Sequence, residues 1–277
     1  MSDAPAGGRL FVVSTPIGNM GDFSFRAVEV LQGAALILAE DTRHSRHLLD
    51  RYGISTAVES YHEHNEARMT PMVVRRLQQG SDVALISDAG TPLLSDPGAR
   101  LVHAVADAGL TVVPIPGASA LLAALVASAI DADRFTFFGF LPRKGRERTE
   151  ALEAVATLRH TAVLYEAPGR VAATLADLAE LGAGGRTAAI ARELTKQFEE
   201  VRRGTVGELA AYYGESPPRG EVVMVVAGAQ VVAPTEEGMR AKAAELRAAG
   251  ASSRDIVASL VGELGAPRNI AYRIAHE

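Results

Sequence analysis

The stretch VALISDAGTPLLSDPG (83–98) decides the fold, because a short apolar run passes directly into a loop rich in Asp, Gly and Pro. The run at 83–87 is typical of a buried parallel strand, and ligand crevices form where such strands end. Gly90 lets a backbone come close to a ligand, and Thr91 and the acids supply hydrogen-bonding groups. The closing Ser-Asp-Pro-Gly is typical of a helix N-cap followed by a first-turn proline. The loop therefore divides into a predicted ligand-facing half and a predicted helix-starting half.

The same alternation of strand and helix runs through the first part of the chain. Short β-branched runs that end in Gly, Pro, Ser or Asp predict strands at 10–14, 35–39, 83–87 and 111–114. Amphipathic stretches predict helices at 25–32, 65–79 and 97–108. Strands joined by helices in this way predict crossover connections and a mostly parallel sheet.

The pattern changes after the basic segment FGFLPRKGRERTE (138–150), which follows a predicted strand at 135–138. Later strands at 161–166, 187–192, 198–204 and 221–228 include partly polar, alternating faces, which favour a mixed sheet. The tail has only helical patterns, at 241–249, 254–264 and 268–276. Gly265 and Pro267 between the last two helices are predicted as a C-cap region and a first helical residue.

The predicted fold class is α/β, with two α/β domains. A length of 277 residues suits two domains, and 48% apolar residues allow a sizeable core. The predicted boundaries are 1–118 for the N-terminal domain, 119–230 for the second domain and 231–277 for a helical tail. The tail has the rhythm of a helix-turn-helix, and a plain three-helix cap is the alternative.

Composition limits the classes of function. The net charge of −5 argues mildly against a protein that coats nucleic acid, and the absence of cysteine excludes disulfides and thiolate metal sites. The start, MSDAPAGGRL, lacks the features of a signal peptide, and the longest apolar stretch (120–130) is too short to span a bilayer. We therefore expect a cytoplasmic protein without a membrane association.

Three Pro/Gly loops, STPIGNMGD (14–22), the loop at 87–98 and PIPGASA (114–120), follow three strands of one predicted sheet and should converge. No phosphate-binding GxxxxGK[ST] occurs, and Gly18 and Gly21 have the wrong spacing for GxGxxG. Triphosphates and dinucleotides are therefore disfavoured. Loops rich in backbone groups and acids suit a ligand with a cationic reacting centre, an adenine and an amino-acid end, and S-adenosylmethionine is such a ligand.

The sequence leaves two interpretations open for each of three segments. In YHEHNE (61–66), His62 and His64 suggest either a metal site or ordinary histidines before a helix capped by Asn65, and we expect no metal. His44 and His47 lie one turn apart on a segment with arginines, which predicts either a solvated helix face or phosphate contact. The segment ARELTKQFEEVRRG (191–204) is either a salt-bridged surface or part of the cleft.

Six segments together resemble the ribosomal RNA small subunit methyltransferase I family of the tetrapyrrole-methylase superfamily. They are TPIGNMGDFSFRAVEVLQGAALILAEDTRHSRHLL (15–49), SDAGTPLLSDPGARLV (87–102), PIPGASALLAAL (114–125), GFLPRKGRER (139–148), LYEAPGR (164–170) and ARELTKQFEEVRRGTVGEL (191–209). The resemblance covers nearly the whole chain, with one departure where Pro-Gly-Ala-Ser stands for the Pro-Gly-Pro of many relatives. It implies methyl transfer from S-adenosylmethionine to the ribose 2′-hydroxyl of a cytidine in the decoding region of 16S rRNA. It also implies a two-domain α/β fold with S-adenosylmethionine in a cleft between the domains, and a homodimer that acts on the small ribosomal subunit.

The resemblance assigns the residues that bind the methyl donor, and polar and charged residues of the segments described above supply the other candidates. Those expected to bind the methyl donor are Pro16, Ile17, Gly18, Gly90, Thr91, Pro92, Leu94, Ser119, Ala120, Leu164, Tyr165, Glu166, Ala191 and Arg192. Those expected to bind RNA are Arg43, Arg46, Arg143, Lys144, Arg254, Arg268, Asn269 and Arg273. Unranked candidates for catalytic roles are Asp22, Glu40, Asp41, Arg43, Asp88 and Lys196. Lys196 serves as a base only if burial lowers its pKa, and adjacent Glu40 and Asp41 cannot both face the cleft.

Two other functions remain open from the sequence. The first is methylation of a tetrapyrrole or another small molecule on the same fold, which predicts a closed apolar cleft. The second is a ribosome-associated protein that senses the methyl donor without turnover.

Overall fold

The computed structural model describes residues 7–229 and 235–277. Residues up to Gly228 pack as one unit, and the residues after it form a second unit. The first half of the first unit contains a sheet of five parallel strands in the order β3-β2-β4-β1-β5. The strands are β1 (Arg9–Val13), β2 (Leu36–Ala39), β3 (Val58–Ser60), β4 (Val83–Ile86) and β5 (Thr111–Ile115). Because all five are parallel, their carboxyl ends lie at one edge of the sheet.

Helices cover both faces of this sheet. α1 (Phe25–Gly33) and α2 (Thr42–Arg51) pack on one face, and α3 (Glu66–Gln78) and α4 (Ala99–Asp107) pack on the other. All four residues of β4 are buried, and they alternate between the two cores. Burial on both faces explains why these strands are continuous apolar runs, and each buried Leu or Ile contributes roughly 1.5–3 kcal/mol.

The second half contains a mixed sheet of five strands in the order β6-β7-β10-β8-β9, in which only the β6 and β7 pair is parallel. Its strands are β6 (Phe135–Phe140), β7 (Thr161–Glu166), β8 (Thr187–Arg192), β9 (Glu200–Thr205) and β10 (Val222–Val226). Its helices are α5 (Ala120–Ser128), α6 (Gly145–Thr157), α7 (Val171–Leu178) and α8 (Val206–Glu215). α5 packs on one face, and the other three pack on the opposite face.

The second unit consists of α9 (Glu236–Ala248), α10 (Ser253–Gly262) and α11 (Arg268–His276). It has a small core of its own that includes Met239, Ile256, Leu260 and Ile274. The predicted α/β class with a helical tail is confirmed, whereas the domain boundaries at 118 and 230 stay predictions.

Some predicted elements begin or end elsewhere. α4 starts at Ala99 with Gly98 as its N-cap at φ +129°, so Pro97 does not start the helix. A Cβ at Gly98 would lie 2.6 Å from Leu85 Cδ2, which explains the glycine. Pro267 is the N-cap of α11 rather than its first residue, and Glu263, not Gly265, caps α10.

Three other differences concern the first residues of β9 and α9 and one strand that was not predicted. β9 begins at Glu200 rather than 198, because a turn with positive φ at Glu193 and Thr195 occupies the preceding residues. α9 begins at Glu236 rather than 241, because the Thr235 side chain caps it by accepting from Gly238 N. The sequence analysis also missed β3, a strand of only three residues with no fully buried position.

Candidate functional site

The three predicted loops meet at the carboxyl edge of the parallel sheet. Thr15 and Gly90 exchange two backbone hydrogen bonds. Thr15 N donates to Gly90 O at 2.8 Å, and Gly90 N donates to Thr15 O at 3.1 Å. The Thr91 hydroxyl lies 3.0 Å from Ser14 Oγ and donates to Ala118 O at 3.3 Å. One threonine thus joins the loops after β1, β4 and β5.

The loop after β4 stores backbone strain. Gly90 has φ +79°, which glycine adopts freely, but Leu93 and Ser95 also have φ values of +74° and +73°. Each of these two residues costs about 1–2 kcal/mol in this region. Strain of this kind persists at functional sites, where the surrounding packing enforces it.

A first cavity of about 320 Å³ opens between the two halves of the first unit. Residues 17, 89–91 and 94–96 line it from the first half, and residues 119–120 line it from the start of α5 in the second half. Residues 140, 165–168 and 220–223 line it from the second half. The charged members of this described lining are Asp96, Glu166 and Glu221, and it includes no Lys, Arg or His. The first cavity is therefore suited to a cationic ligand and unsuited to a phosphate.

The three acids differ in their partners. Glu166 is 2% exposed, and its carboxylate accepts from Thr174 Oγ1 at 2.7 Å and pairs with Arg170 Nε at 3.2 Å. Glu221 pairs with Lys196 at 3.1 Å. Burial, followed by the charge of Glu40, raises the pKa of Asp96 to about 6, although the Ser87 hydroxyl acts in the opposite direction. Asp96 is therefore the acid of this cavity whose charge is least compensated.

Asp96→Asn should make the protein more stable at pH 7 but not at pH 4. Between pH 3.8 and about 6 the unfolded chain has released the Asp96 proton and the folded protein retains it, so this group lowers stability as pH rises. The full shift corresponds to about 3 kcal/mol, and partial solvent exposure reduces the expected gain of the variant to about 1–2 kcal/mol. Urea unfolding at both pH values measures it, and an equal gain at pH 4 and pH 7 would contradict the assignment.

A second cavity of about 340 Å³ adjoins the first. It is lined by residues 16–18, 20, 44–45, 47–48, 87–89, 196 and 221. Ile17, Ala89 and Glu221 line both cavities, so a group bound in the second lies beside a ligand in the first. Two cavities of these sizes that share lining residues can hold a donor and an acceptor next to each other.

The two halves also contact each other beside the cavities, through the loops at 14–22 and 193–199. Asn19 N donates to Thr195 Oγ1 at 3.0 Å. A Cβ at Gly18 would lie 2.5 Å from Lys196 Cγ, so this position has no space for a side chain. The segment 191–204, for which the sequence left two interpretations, thus forms ion pairs and also reaches the cleft.

The structure separates the candidates for a catalytic role. Asp88 lines the second cavity, and its Oδ1 accepts from Asp41 N at 3.1 Å. Asp41 caps α2 by accepting from Arg43 N at 2.8 Å and His44 N at 3.3 Å, and these bonds lower its pKa. Burial, followed by the charge of Asp88, raises the pKa of Glu40, which lines neither cavity.

The three other candidates, Lys196, Asp22 and Arg43, do not fit the role of a base. Burial acts to lower the pKa of Lys196, but hydrogen bonds and ion pairs with Glu193 and Glu221 outweigh it, and the net pKa is raised. The condition under which Lys196 would act as a base is therefore not met. Asp22 lies in a separate surface depression beside Phe25, and the Arg43 side chain is 91% exposed.

The expected donor-binding residues fall into three groups. Those that line the first cavity are Ile17, Gly90, Thr91, Leu94, Ser119, Ala120, Tyr165 and Glu166. Pro16 and Gly18 line the second cavity. Those that line neither are Pro92, Leu164, Ala191 and Arg192. Leu164 packs in the core formed with α6, α7 and α8, and Arg192 Nε pairs with Glu200 at 2.7 Å.

The sequence analysis missed several lining residues. Ser95 and Asp96 were assigned to the start of a helix, but they line the first cavity, so the predicted division of the loop is wrong. The repeated Ser-Asp pair was the available signal. Phe140 and residues 167–168 and 220–223 also line the cavity, and their approach depends on how the two halves pack.

The expected RNA-binding residues are exposed. Arg43 and Arg46 lie on α2, and Arg143 and Lys144 directly precede α6. Arg254, Arg268, Asn269 and Arg273 lie on the helices of the second unit, where Arg273 pairs with Glu236. Their role in binding RNA stays a prediction.

Neither a metal cluster nor a membrane-spanning helix is found in the ranges that the structure describes. Over 7–229 and 235–277, no three His, Cys, Asp or Glu side chains are grouped so that they could hold a metal ion. The His62 and His64 rings pack edge to face, with centroids 5.9 Å apart. Within the same ranges, every helix is too short or too polar to cross a bilayer.

This arrangement, two α/β halves with a cleft at the strand ends, corresponds to a known class of methylases. The family model of tetrapyrrole (corrin/porphyrin) methylases matches residues 9–210, most of the chain, and the chain belongs to this family.

Individual proteins of known name are similar to this chain over most of its length. The chain is 45% identical over 273 residues to the ribosomal RNA small subunit methyltransferase I of Synechocystis sp., which covers 98% of both proteins. It is 51% identical over 225 residues to the protein of the same name from Mesorhizobium japonicum, covering 81% of this chain and 76% of that protein. The resemblance inferred from the sequence is confirmed.

Solved structures share the fold at low identity. A uroporphyrin-III C-methyl transferase from Thermus thermophilus, complexed with S-adenyl homocysteine, matches with a TM-score of 0.58 and 18% identity. The match covers 80% of this chain and 97% of that chain.

Proposed function

We propose that the protein transfers a methyl group from S-adenosylmethionine to the ribose 2′-hydroxyl of a cytidine in the decoding region of 16S rRNA. The proposal includes a cytoplasmic homodimer that acts on the small ribosomal subunit. The observation that carries it is the acidic lining of the first cavity, which is suited to a sulfonium cation. The names of the curated relatives support ribosomal RNA as the acceptor, and the S-adenyl homocysteine bound to a structural neighbour supports the donor.

The donor fits the residues of the first cavity. Gly90 leaves room for close approach, Thr91 and Ser119 offer polar groups, and Tyr165 and Phe140 offer aromatic faces for an adenine. Asp96, the acid of this cavity whose charge is least compensated, supplies negative charge for a sulfonium or an ammonium group. S-adenosylmethionine, when bound, supplies an activated methyl group, because the sulfonium sulfur that carries it is a good leaving group.

The protein's contribution is then mainly alignment and acceptance of a proton. The cavities share Ile17 and Ala89, so the acceptor oxygen can be held beside the donor, and correct placement alone can supply much of the acceleration. Among the catalytic candidates, we propose Asp88 as the proton acceptor. It lines the second cavity, directly next to Ala89, and only its Oδ1 accepts a hydrogen bond from Asp41 N.

Transfer of labelled methyl groups tests the function. The wild-type protein is incubated with labelled S-adenosylmethionine and, separately, small ribosomal subunits, protein-free 16S rRNA and a tetrapyrrole precursor. We expect label in the rRNA of the subunits, and we expect one phosphodiester to resist alkaline hydrolysis, because a 2′-O-methyl group protects the adjacent linkage. Label that enters only the tetrapyrrole would establish the alternative, a small-molecule methyltransferase on this fold. Donor binding without transfer to any acceptor would favour a sensor.

A further inference from the structure

The carboxylate of Asp96 has no cationic partner in the first cavity. The other two acids of the lining are paired: Glu166 with Arg170 Nε at 3.2 Å, and Glu221 with Lys196 at 3.1 Å. No cationic side chain among the described residues contributes to the pKa of Asp96, and the described lining includes no Lys, Arg or His. A cationic ligand would therefore supply the counter-charge that the protein leaves out.

The strained loop after β4 holds Asp96 at the cavity. Leu93 and Ser95 have φ values of +74° and +73°, and the successive residues Leu94, Ser95 and Asp96 all line the cavity. A Cβ at Gly139 would lie 3.1 Å from Ser95 Oγ, so β6 packs closely against this turn. Because packing from the second sheet supports the turn, the charge of Asp96 is in place before a ligand arrives.

Asp96 is also close to the second cavity. The charge of Asp88, which lines that cavity, raises the pKa of Asp96, after the larger effects of burial and of Glu40. A methyl group that passes from a donor in the first cavity to an acceptor in the second must start where the cavities adjoin. The sulfur that carries the methyl group then lies nearer to Asp96 than the ammonium at the far end of the amino-acid part does.

The charge on this sulfur is lost in the reaction. The bond between sulfur and the methyl carbon breaks, the bond between that carbon and the 2′-oxygen forms, and the sulfur keeps the electron pair as a neutral thioether. The hydroxyl proton goes to the proposed acceptor, Asp88. Transfer thus leaves Asp96 without a counter-charge beside Glu40, and exchange of the product for a fresh donor restores it.

We propose that Asp96 faces the sulfonium of the bound donor and makes the first cavity select S-adenosylmethionine over its demethylated product, S-adenosylhomocysteine. This inference rests on the proposed function, because it takes S-adenosylmethionine to be the ligand of the first cavity.

Asp96→Asn tests the inference against Asp107→Asn as a matched control. Asp107 is the exposed last residue of α4 and lines neither cavity. Each variant exchanges one carboxylate for an amide of similar size, and Asp96→Asn should not lose stability at pH 7. For each full-length protein, calorimetry at pH 7 measures the affinities for S-adenosylmethionine and S-adenosylhomocysteine, which differ in the methyl group and its charge.

We expect Asp96→Asn to bind S-adenosylmethionine about tenfold more weakly than the wild type, since one partly screened charge pair is lost. Its affinity for S-adenosylhomocysteine should stay near that of the wild type, and Asp107→Asn should match the wild type with both ligands. Equal losses for both ligands would show that Asp96 faces the ammonium that they share. Unchanged affinities would show that it faces neither group, and either result overturns the inference.

Proton release at pH 6 is a second readout. A cation beside Asp96 favours the ionised carboxylate and lowers its pKa from about 6, so binding of S-adenosylmethionine should release protons. S-adenosylhomocysteine should release none, and titrations in two buffers of different ionisation enthalpy measure the number. Glu40, Asp88 and Tyr165 also interact with the charge of Asp96, and all three remain in Asp96→Asn. Release that persists in this variant would contradict the assignment.

Methyl transfer to small ribosomal subunits decides the proposed function separately. A wild-type protein that binds S-adenosylmethionine selectively but transfers no methyl group would overturn the proposed function and leave the role of Asp96 standing. A wild-type protein that binds neither ligand would overturn both.

Discussion

Replacing Gly90 with valine should reduce affinity for S-adenosylmethionine by more than a hundredfold. Gly90 has φ +79°, and a Cβ there would lie 3.3 Å from Ile17 Cγ2, already a tight contact. Valine adds two further methyl groups in the first cavity, at the point where Gly90 also pairs with Thr15. The side chain should therefore displace Ile17 or occupy the space proposed for the donor. Isothermal titration calorimetry measures the loss.

Gly80→Val is the control that separates the effect of a filled cavity from the energetic cost of a positive φ. Gly80 has φ +88°, and a Cβ there would meet nothing within 4 Å. Both variants should lose about 1–2 kcal/mol of stability from the left-handed conformation, but only Gly90→Val should lose donor affinity. Wild-type donor affinity in Gly90→Val would show that the donor binds elsewhere.

Asp88→Asn should lower the rate of methyl transfer about 10²-fold or more and leave donor affinity near that of the wild type. Asparagine keeps a carbonyl oxygen that can accept from Asp41 N, as Asp88 Oδ1 does at 3.1 Å, so the loop should retain its shape. What it loses is the ability to take a proton. Single-turnover transfer to small ribosomal subunits measures the chemical step apart from product release.

Asp22→Asn is the control, because Asp22 lies in a surface depression away from both cavities. It removes the same charge and should leave the rate unchanged. A wild-type rate in Asp88→Asn would remove Asp88 as the proton acceptor and leave alignment of the reactants as the main source of acceleration.

The sequence predicted those parts of the site that depend on local order along the chain. Strand 83–87 and its loop follow from an apolar run that ends in Asp, Gly and Pro, and parallel strands must end at one edge. The convergence of three loops followed from the same rule, and the bonds of Thr91 to two other loops bear it out.

The sequence did not predict features that depend on distant contacts. The pKa of Asp96 rises because folding buries the Asp96 side chain and brings it near Glu40, which lies 56 positions earlier in the chain. The local sequence pattern does not show this proximity. Lys196 was considered as a base on the condition that burial lowers its pKa, but pairing with Glu193 and with Glu221, which precedes another strand, outweighs burial and raises the pKa.

The contact between Asn19 and Thr195 has a consequence for how a ligand enters. This hydrogen bond of 3.0 Å joins the two halves at one side of the cleft. Gly18 packs closely against Lys196 at the same place. Binding then requires no large swing of one half toward the other. In this arrangement the walls of the cleft are already in place, so less conformational freedom is lost on association than if the ligand had to bring the two halves together.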